Sequence, residues 1–109
     1  MINGSLPASV QVVIVGGGIV GCSVLYHLAK SGMSDVLLLE RKTLTSGTTW
    51  HAAGLLAQLR SSKTETDLAR YSINLYEQLE TQTSQATGVR RNGTLCLAQT
   101  AQRWEELKR

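Results

Sequence analysis

The sequence predicts an α/β fold built on a strand–helix–strand unit, with an incomplete parallel sheet, further helices and a short β hairpin. Two observations predict this fold. The first strand is expected at about Gln11–Val15 and the second at Val36–Leu39, because Val12–Val15 and Val36–Leu39 are short apolar runs with the length of buried parallel strands. Between them, the glycine-rich turn Gly16–Gly21 leads into a segment with helical periodicity. A crossover of this length places the two strands parallel and adjacent.

The first helix is expected from about Gly18 to Lys30, because small and apolar residues recur on one side of this segment at helical spacing. That side consists of Gly21, Leu25, Leu28 and Gly32. The pair Ser31-Gly32 ends the helix, since glycine readily adopts the left-handed conformation found at helix ends. The second apolar run then forms the second strand.

Beyond the second strand, residues 43–49 predict a loop, because they are rich in threonine, serine and glycine and show no periodicity. A second helix is expected from about Glu65 to Gln85, closed by Gly88. Its apolar stripe is interpreted as core packing. The stripe consists of Leu68, Ile73, Leu75, Tyr76 and Leu79.

The last part of the chain predicts a strand or hairpin followed by a helix. Within Val89–Ala98, the pair Asn92-Gly93 favours a tight turn, and Thr94–Leu97 has the composition of an extended segment. Thr100 is a suitable N-cap for a final helix over Ala101–Arg109.

Three glycines of the turn, Gly16, Gly18 and Gly21, have the G-x-G-x-x-G spacing of a Rossmann-like dinucleotide site. The first permits a sharp bend, the second removes a Cβ that would block a pyrophosphate, and the third lets the helix lie close to the sheet. The phosphates then meet the free N–H groups at the helix N-terminus. Glu40, at the tip of the second strand, can accept hydrogen bonds from both adenosine ribose hydroxyls. This acid disfavours a 2′-phosphate, although the basic Arg41 follows it directly.

A polar segment after Glu40 is expected to return over the glycine turn. It offers hydroxyl and backbone N–H groups to the pyrophosphate or to the ribityl chain beyond it. The cofactor-binding residues expected in this segment are Ser46, Gly47, Thr48 and Thr49.

Residues Leu38–Arg41 together with Leu44–Leu55 resemble the N-terminal FAD-binding region of the sarcosine and dimethylglycine dehydrogenase family. The similarity continues through Tyr71–Tyr76 and Arg91–Leu95, so it covers nearly the whole chain. It is most specific at Trp50-His51, which begins a Trp-His-Ala-Ala-Gly block.

The resemblance implies that the glycine turn and Glu40 bind the pyrophosphate and ribose of FAD. It also implies that His51 is joined covalently to the 8α-methyl carbon of the flavin. The family oxidises N-methylglycines by transferring a hydride from the N-methyl carbon to flavin N5, and the product is hydrolysed or its one-carbon unit passes to tetrahydrofolate. We expect no catalytic residue and no metal ligand within this chain.

Two other functions remain open. A different oxidoreductase, NAD-linked or with non-covalent flavin, would share the glycine turn and Glu40 but would not need Ser46–Gly54. A non-catalytic relative, such as the regulatory subunit of pyruvate dehydrogenase phosphatase, is similar over the same region, but the resemblance implies that its loop lacks the Trp50-His51 pair. Retention of His51 therefore favours catalysis.

Length and composition indicate how much of a domain the chain contains, which class of partner it has and in which compartment it acts. At 109 residues, the chain is expected to be the N-terminal part of a FAD-binding domain without its substrate-binding and folate-binding regions, and so to be inactive by itself. The formal charge of +3 is spread without interleaved aromatic residues, which argues against a nucleic-acid partner, and no apolar run is long enough to cross a membrane. The expected partner is a small N-methyl amine. Two separated cysteines and the lack of an arginine-rich leader favour bacterial cytoplasm, with the mitochondrial matrix as the alternative.

Overall fold

The computed structural model describes residues 6–108 and divides into two compact units, one that ends at Gly54 and one that begins at Leu55. In chain order, the elements of the first unit are β1 (Val12–Val15), α1 (Ile19–Lys30), β2 (Val36–Leu39) and a short 3₁₀ helix (Thr48–His51). Those of the second unit are α2 (Lys63–Thr83) and α3 (Ala101–Leu107).

The two strands pair in parallel, with Val12 opposite Val36 and Val15 opposite Leu39. Within the described residues they form a two-stranded sheet, and α1 contacts both of them. The predicted strand–helix–strand unit and its incomplete sheet are therefore confirmed. Exposure alternates along β1, where the side chain of Val13 is 50% exposed and that of Val15 is 83% exposed.

Helix α1 ends where the sequence predicts. Ser31 is its C-cap residue, and Gly32 follows with a φ of +92°, in the left-handed region that favours glycine. The Met33 N–H donates to the carbonyl of Leu28 at 3.0 Å, which satisfies one of the carbonyls left open at the helix end.

Helix α2 begins before the predicted Glu65 and ends before the predicted Gln85. It begins after Ser62, whose hydroxyl accepts from the Glu65 N–H at 3.2 Å while the Glu65 carboxylate accepts from the Ser62 N–H at 3.2 Å. This reciprocal pair is a capping box. The helix ends at Thr83, and its C-cap residue Ser84 adopts left-handed geometry with a φ of +56°, so the prediction that Gly88 closes the helix is wrong.

The predicted packing stripe of α2 is confirmed only in part. Ile73 is buried, with 7% of its surface exposed, and three further members, Leu75, Tyr76 and Leu79, are half-buried. Leu68 is 65% exposed and lies outside the stripe that packs.

The predicted hairpin is wrong, since residues 85–99 form neither strand nor helix. Thr94–Leu97 has no paired neighbour in the described part of the chain, and the side chain of Leu95 is 87% exposed. A hairpin that packs its apolar side against nothing is at best marginally stable. Residues 85–99 instead contact α2 through a hydrogen bond that the Arg91 guanidinium donates to Glu77 Oε2 at 2.8 Å.

The final helix, α3, is capped as predicted. The hydroxyl of Thr100 accepts from the Arg103 N–H at 3.1 Å, and the helix ends at Leu107. Arg109, the predicted last residue of this helix, lies outside the described residues. Among residues 6–108, no helix is both long and apolar enough to pass through a lipid bilayer.

Candidate cofactor site

The glycine turn joins β1 to α1 with little room for side chains. Gly16 has a φ of +107°, a conformation that residues other than glycine rarely adopt, and its N–H donates to the carbonyl of Leu39 at 2.8 Å. A Cβ added to Gly21 would overlap the carbonyl oxygen of Gly16. The close approach of the turn and the first turn of α1 therefore depends on glycine at both positions.

Helix α1 begins directly at this turn. Its N-cap residue is Gly18, which has an extended backbone and no side chain that could accept from the first N–H groups of the helix. The first four N–H groups of any α-helix have no acceptor within the helix. The N-terminus of α1 therefore presents backbone donors and the positive end of the helix dipole, which suits an anionic group.

The Glu40 carboxylate is directed at the turn. One oxygen, Oε2, accepts from the Gly17 N–H at 2.7 Å, and the other, Oε1, accepts from the Lys42 N–H at 2.8 Å. These two backbone bonds, the Gly17 bond first, lower the pKa of Glu40, and the neighbouring charge of Arg41 acts in the same direction. Each oxygen of an ionised carboxylate can accept more than one hydrogen bond, so the group can hold the turn and still accept from a ligand hydroxyl.

Gly17, which the G-x-G-x-x-G spacing leaves unspecified, is buried beneath two side chains. A Cβ at this position would lie 2.5 Å from Leu44 Cδ2 and 3.0 Å from Glu40 Cβ. Sequence reasoning missed this residue, although the uninterrupted run Gly16-Gly17-Gly18 was a usable signal. A side chain at this position would have to displace the end of Leu44 and crowd Glu40.

The segment after Glu40 returns to the glycine turn through two hydrogen bonds. The Thr45 N–H donates to the carbonyl of Gly17 at 2.8 Å, and the Ile19 N–H donates to Thr49 Oγ1 at 2.9 Å. Thr49 is half-buried, and its hydroxyl lies 3.1 Å from the position of a Cβ built on Gly18. Of the residues predicted here, Thr49 thus reaches the N-terminus of α1.

The other predicted members of this segment are exposed. Ser46 donates its backbone N–H to the carbonyl of Thr43 at 3.2 Å, while Gly47 and Thr48 form the start of the 3₁₀ helix. Arg41 is exposed as well.

His51 lies at the end of the 3₁₀ helix with an exposed side chain. Its Nδ1 is 3.0 Å from the carbonyl oxygen of Gly47. Because a carbonyl oxygen only accepts, Nδ1 is the donor in this bond, and in a neutral imidazole the lone pair is then on Nε2. The adjacent Trp50 is 80% exposed.

The chain is similar to known flavin-dependent proteins over nearly its whole length. The family described as FAD dependent oxidoreductase matches residues 11–109. Human mitochondrial sarcosine dehydrogenase is 51% identical over 105 residues, which is 95% of this chain and 11% of that protein. The mitochondrial pyruvate dehydrogenase phosphatase regulatory subunit of mouse is 50% identical over 105 residues, which is 96% of this chain and 12% of that protein.

A solved structure shares the fold. Glycine oxidase from Bacillus cereus ATCC 14579 superposes with a TM-score of 0.65 at 30% sequence identity, over 92% of this chain and 29% of that one. The chain spans about a tenth of the length of the sarcosine dehydrogenase and of the regulatory subunit, 11% and 12% respectively.

Proposed function

Because the chain belongs to the FAD-dependent oxidoreductase family, we propose that it forms the N-terminal FAD-binding part of an enzyme that demethylates N-methylglycines such as sarcosine or dimethylglycine. The observation that carries this proposal is His51 in its Trp-His block, which lies in a loop that hydrogen-bonds to Gly17 and Ile19 through Thr45 and Thr49. Identity of 51% to a sarcosine dehydrogenase supports the substrate class.

The residues at the turn fit a dinucleotide. Gly16, Gly18 and Gly21 carry no side chain of their own at the N-terminus of α1, where the Thr49 hydroxyl accepts from the Ile19 N–H. A diphosphate there would accept from the remaining backbone N–H groups. Glu40 would bind the adenosine ribose with the acceptor capacity that the Gly17 and Lys42 amides leave. The loop residues Ser46, Gly47, Thr48 and Thr49, with Arg41, would complete this site.

His51 would hold the flavin covalently. With Nδ1 donating to Gly47, a neutral imidazole would present Nε2 to the 8α-methyl carbon of the flavin. The new N–C bond would replace a C–H bond, whose proton is lost and whose two electrons would stay on the flavin until an electron acceptor removes them. When bound, FAD would accept the hydride that leaves the N-methyl carbon of the substrate. The substrate pocket and any tetrahydrofolate site would lie in parts of the enzyme outside this chain. We place the enzyme in bacterial cytoplasm or the mitochondrial matrix.

A second candidate is a regulatory subunit. The observation that favours it is the 50% identity to the pyruvate dehydrogenase phosphatase regulatory subunit, which nearly equals the identity to the sarcosine dehydrogenase. A regulatory protein would have no need of a flavin bond at His51. The state of the flavin therefore separates the two candidates.

The test is to express the longest polypeptide that carries this sequence, precipitate it with acid and measure the flavin in pellet and supernatant. We expect flavin in the pellet of the wild type and of His27→Gln, which removes the other histidine of the chain, and none in the pellet of His51→Ala. Flavin found only in the supernatant of the wild type would exclude the covalent bond. Covalent flavin in His51→Ala would place the bond at another residue.

A further inference from the structure

We propose that Thr49 is a positioning residue that caps helix α1 from a distant part of the chain and thereby holds the His51 loop in place for flavin attachment. This inference rests on the proposed function, because it concerns the orientation of His51 towards the cofactor. It assigns Thr49 a role through the protein backbone, in addition to any direct contact with FAD.

The first argument is the missing local cap of α1. A helix usually begins at a residue whose side chain accepts from one of the first N–H groups, but the N-cap here is Gly18. The hydroxyl of Thr49, 30 positions after Ile19, accepts from the Ile19 N–H at 2.9 Å instead. Because Gly18 has no side chain that can cap the helix, the cap comes from a distant part of the chain, and its hydroxyl lies 3.1 Å from the position of a Cβ built on Gly18.

The second argument is that this bond is one of two that fix the same loop. At its start, the Thr45 N–H donates to the Gly17 carbonyl at 2.8 Å, and Leu44 lies against Gly17. At its end, Thr49 binds Ile19. The loop is therefore attached to the glycine turn on both sides of the exposed Ser46–Thr48 stretch.

The third argument is the position of His51 relative to Thr49. Both residues belong to the 3₁₀ helix Thr48–His51, and the His51 ring is further held by the Gly47 carbonyl. A displacement of Thr49 would displace the histidine with it. The Thr49 hydroxyl therefore sets where Nε2 lies relative to the helix N-terminus at which the diphosphate would bind.

The experiment compares Thr49→Val, which keeps the shape of the side chain but cannot accept, with Thr49→Ser, which keeps the hydroxyl. Thr43→Val is the matched control, because Thr43 is an exposed threonine of the same loop and only its carbonyl takes part in a bond. Apoprotein of the longest polypeptide is mixed with FAD, and acid-stable flavin is followed over time. Melting temperatures and the exchange rate of the Ile19 amide are measured on the same apoproteins.

We expect Thr49→Val to attach flavin about fivefold more slowly, the equivalent of roughly 1 kcal/mol for a lost cap, and to exchange the Ile19 amide faster by a similar factor. Thr49→Ser should restore both rates, and Thr43→Val should match the wild type.

Equal attachment rates in Thr49→Val and wild type would overturn this inference while leaving the proposed function intact. A wild type that never forms acid-stable flavin, or a His51→Ala variant that does, would overturn the proposed function and this inference with it. The inference would also be overturned if the slower attachment in Thr49→Val matched a lower melting temperature and Thr49→Ser did not restore the rate.

Discussion

Glu40 Oε2 accepts a hydrogen bond from the Gly17 N–H at 2.7 Å, and this bond links the end of β2 to the centre of the glycine turn. The two residues are 23 positions apart in the chain. The carboxylate proposed to bind the ribose therefore also holds the phosphate-binding turn. Because both tasks use the charged form of one side chain, changes to Glu40 affect the shape of the site as well as ligand contact.

Replacing Glu40 with glutamine is expected to weaken FAD binding about tenfold, because hydrogen bonds to a charged acceptor are stronger than those to a neutral one. Affinity is measured by quenching of flavin fluorescence on apoprotein. Asp35→Asn is the control, since the Asp35 carboxylate accepts from the Gln11 N–H at 3.0 Å at the opposite end of the same strand pair. A loss of affinity of the same size in Asp35→Asn would show that the effect is not specific to the turn.

The contribution of Glu40 to stability is expected to depend on pH. The Gly17 and Lys42 amides hold the pKa of Glu40 below its ordinary value near 4.5, so the folded state favours the carboxylate. The stabilisation is complete above that ordinary value and is lost as the pH falls through the lower, folded value. The difference in free energy of unfolding between wild type and Glu40→Gln should therefore shrink between about pH 6 and pH 3. Denaturant titrations at each pH measure it, and a constant difference would contradict the assignment.

Gly17→Ala is expected to destabilise the first unit by about 1 kcal/mol, because the new methyl group would displace the end of the Leu44 side chain and crowd Glu40 Cβ. Gly47→Ala is the control for stability, since a Cβ at Gly47 meets no atom within 4 Å. Thermal or denaturant unfolding measures both variants. If both alanine substitutions lower the free energy of unfolding equally, packing around Gly17 does not exclude a side chain there. The double variant Gly17→Ala/Leu44→Ala should recover part of the loss.

Ser62→Ala is expected to cost about 1 kcal/mol of stability in the second unit, because it removes the hydroxyl that accepts from the Glu65 N–H. The neighbouring Ser61→Ala, at an exposed position before the cap, is the control. Circular dichroism during urea unfolding follows the helix content of both variants. An unchanged midpoint for Ser62→Ala would mean that α2 does not depend on its capping box.

The strand–helix–strand unit was predictable because its signals are local. Apolar runs and the glycine spacing placed β1, α1 and β2 within about a residue of their observed limits. The spacing of Ser62 and Glu65 also predicts the start of α2, but helical periodicity alone placed that start at Glu65, two residues too late. The predicted hairpin failed because the local turn signal at Asn92-Gly93 says nothing about whether a packing surface exists for Thr94–Leu97.

The candidate site was predictable as a set of residues but not as a set of contacts. The glycine motif and Glu40 follow from a known spacing, whereas the bond between Thr49 and Ile19 depends on where a loop returns after 30 residues. The sequence predicts that the loop returns to the turn, but no local pattern encodes which of its hydroxyl groups meets the Ile19 N–H. The burial of Gly17 under Leu44 has the same origin, since it arises only when the loop is in place.

Strand β1 has a neighbour on one side only among the described residues, and Val15 on it is 83% exposed. An unpaired strand edge with apolar side chains is a template on which another strand can add. A sample of these 109 residues alone should therefore self-associate through β1 as its concentration rises, and charged substitution at Val15 should raise its solubility. In a longer polypeptide, the same edge offers a place for a third strand to join the sheet.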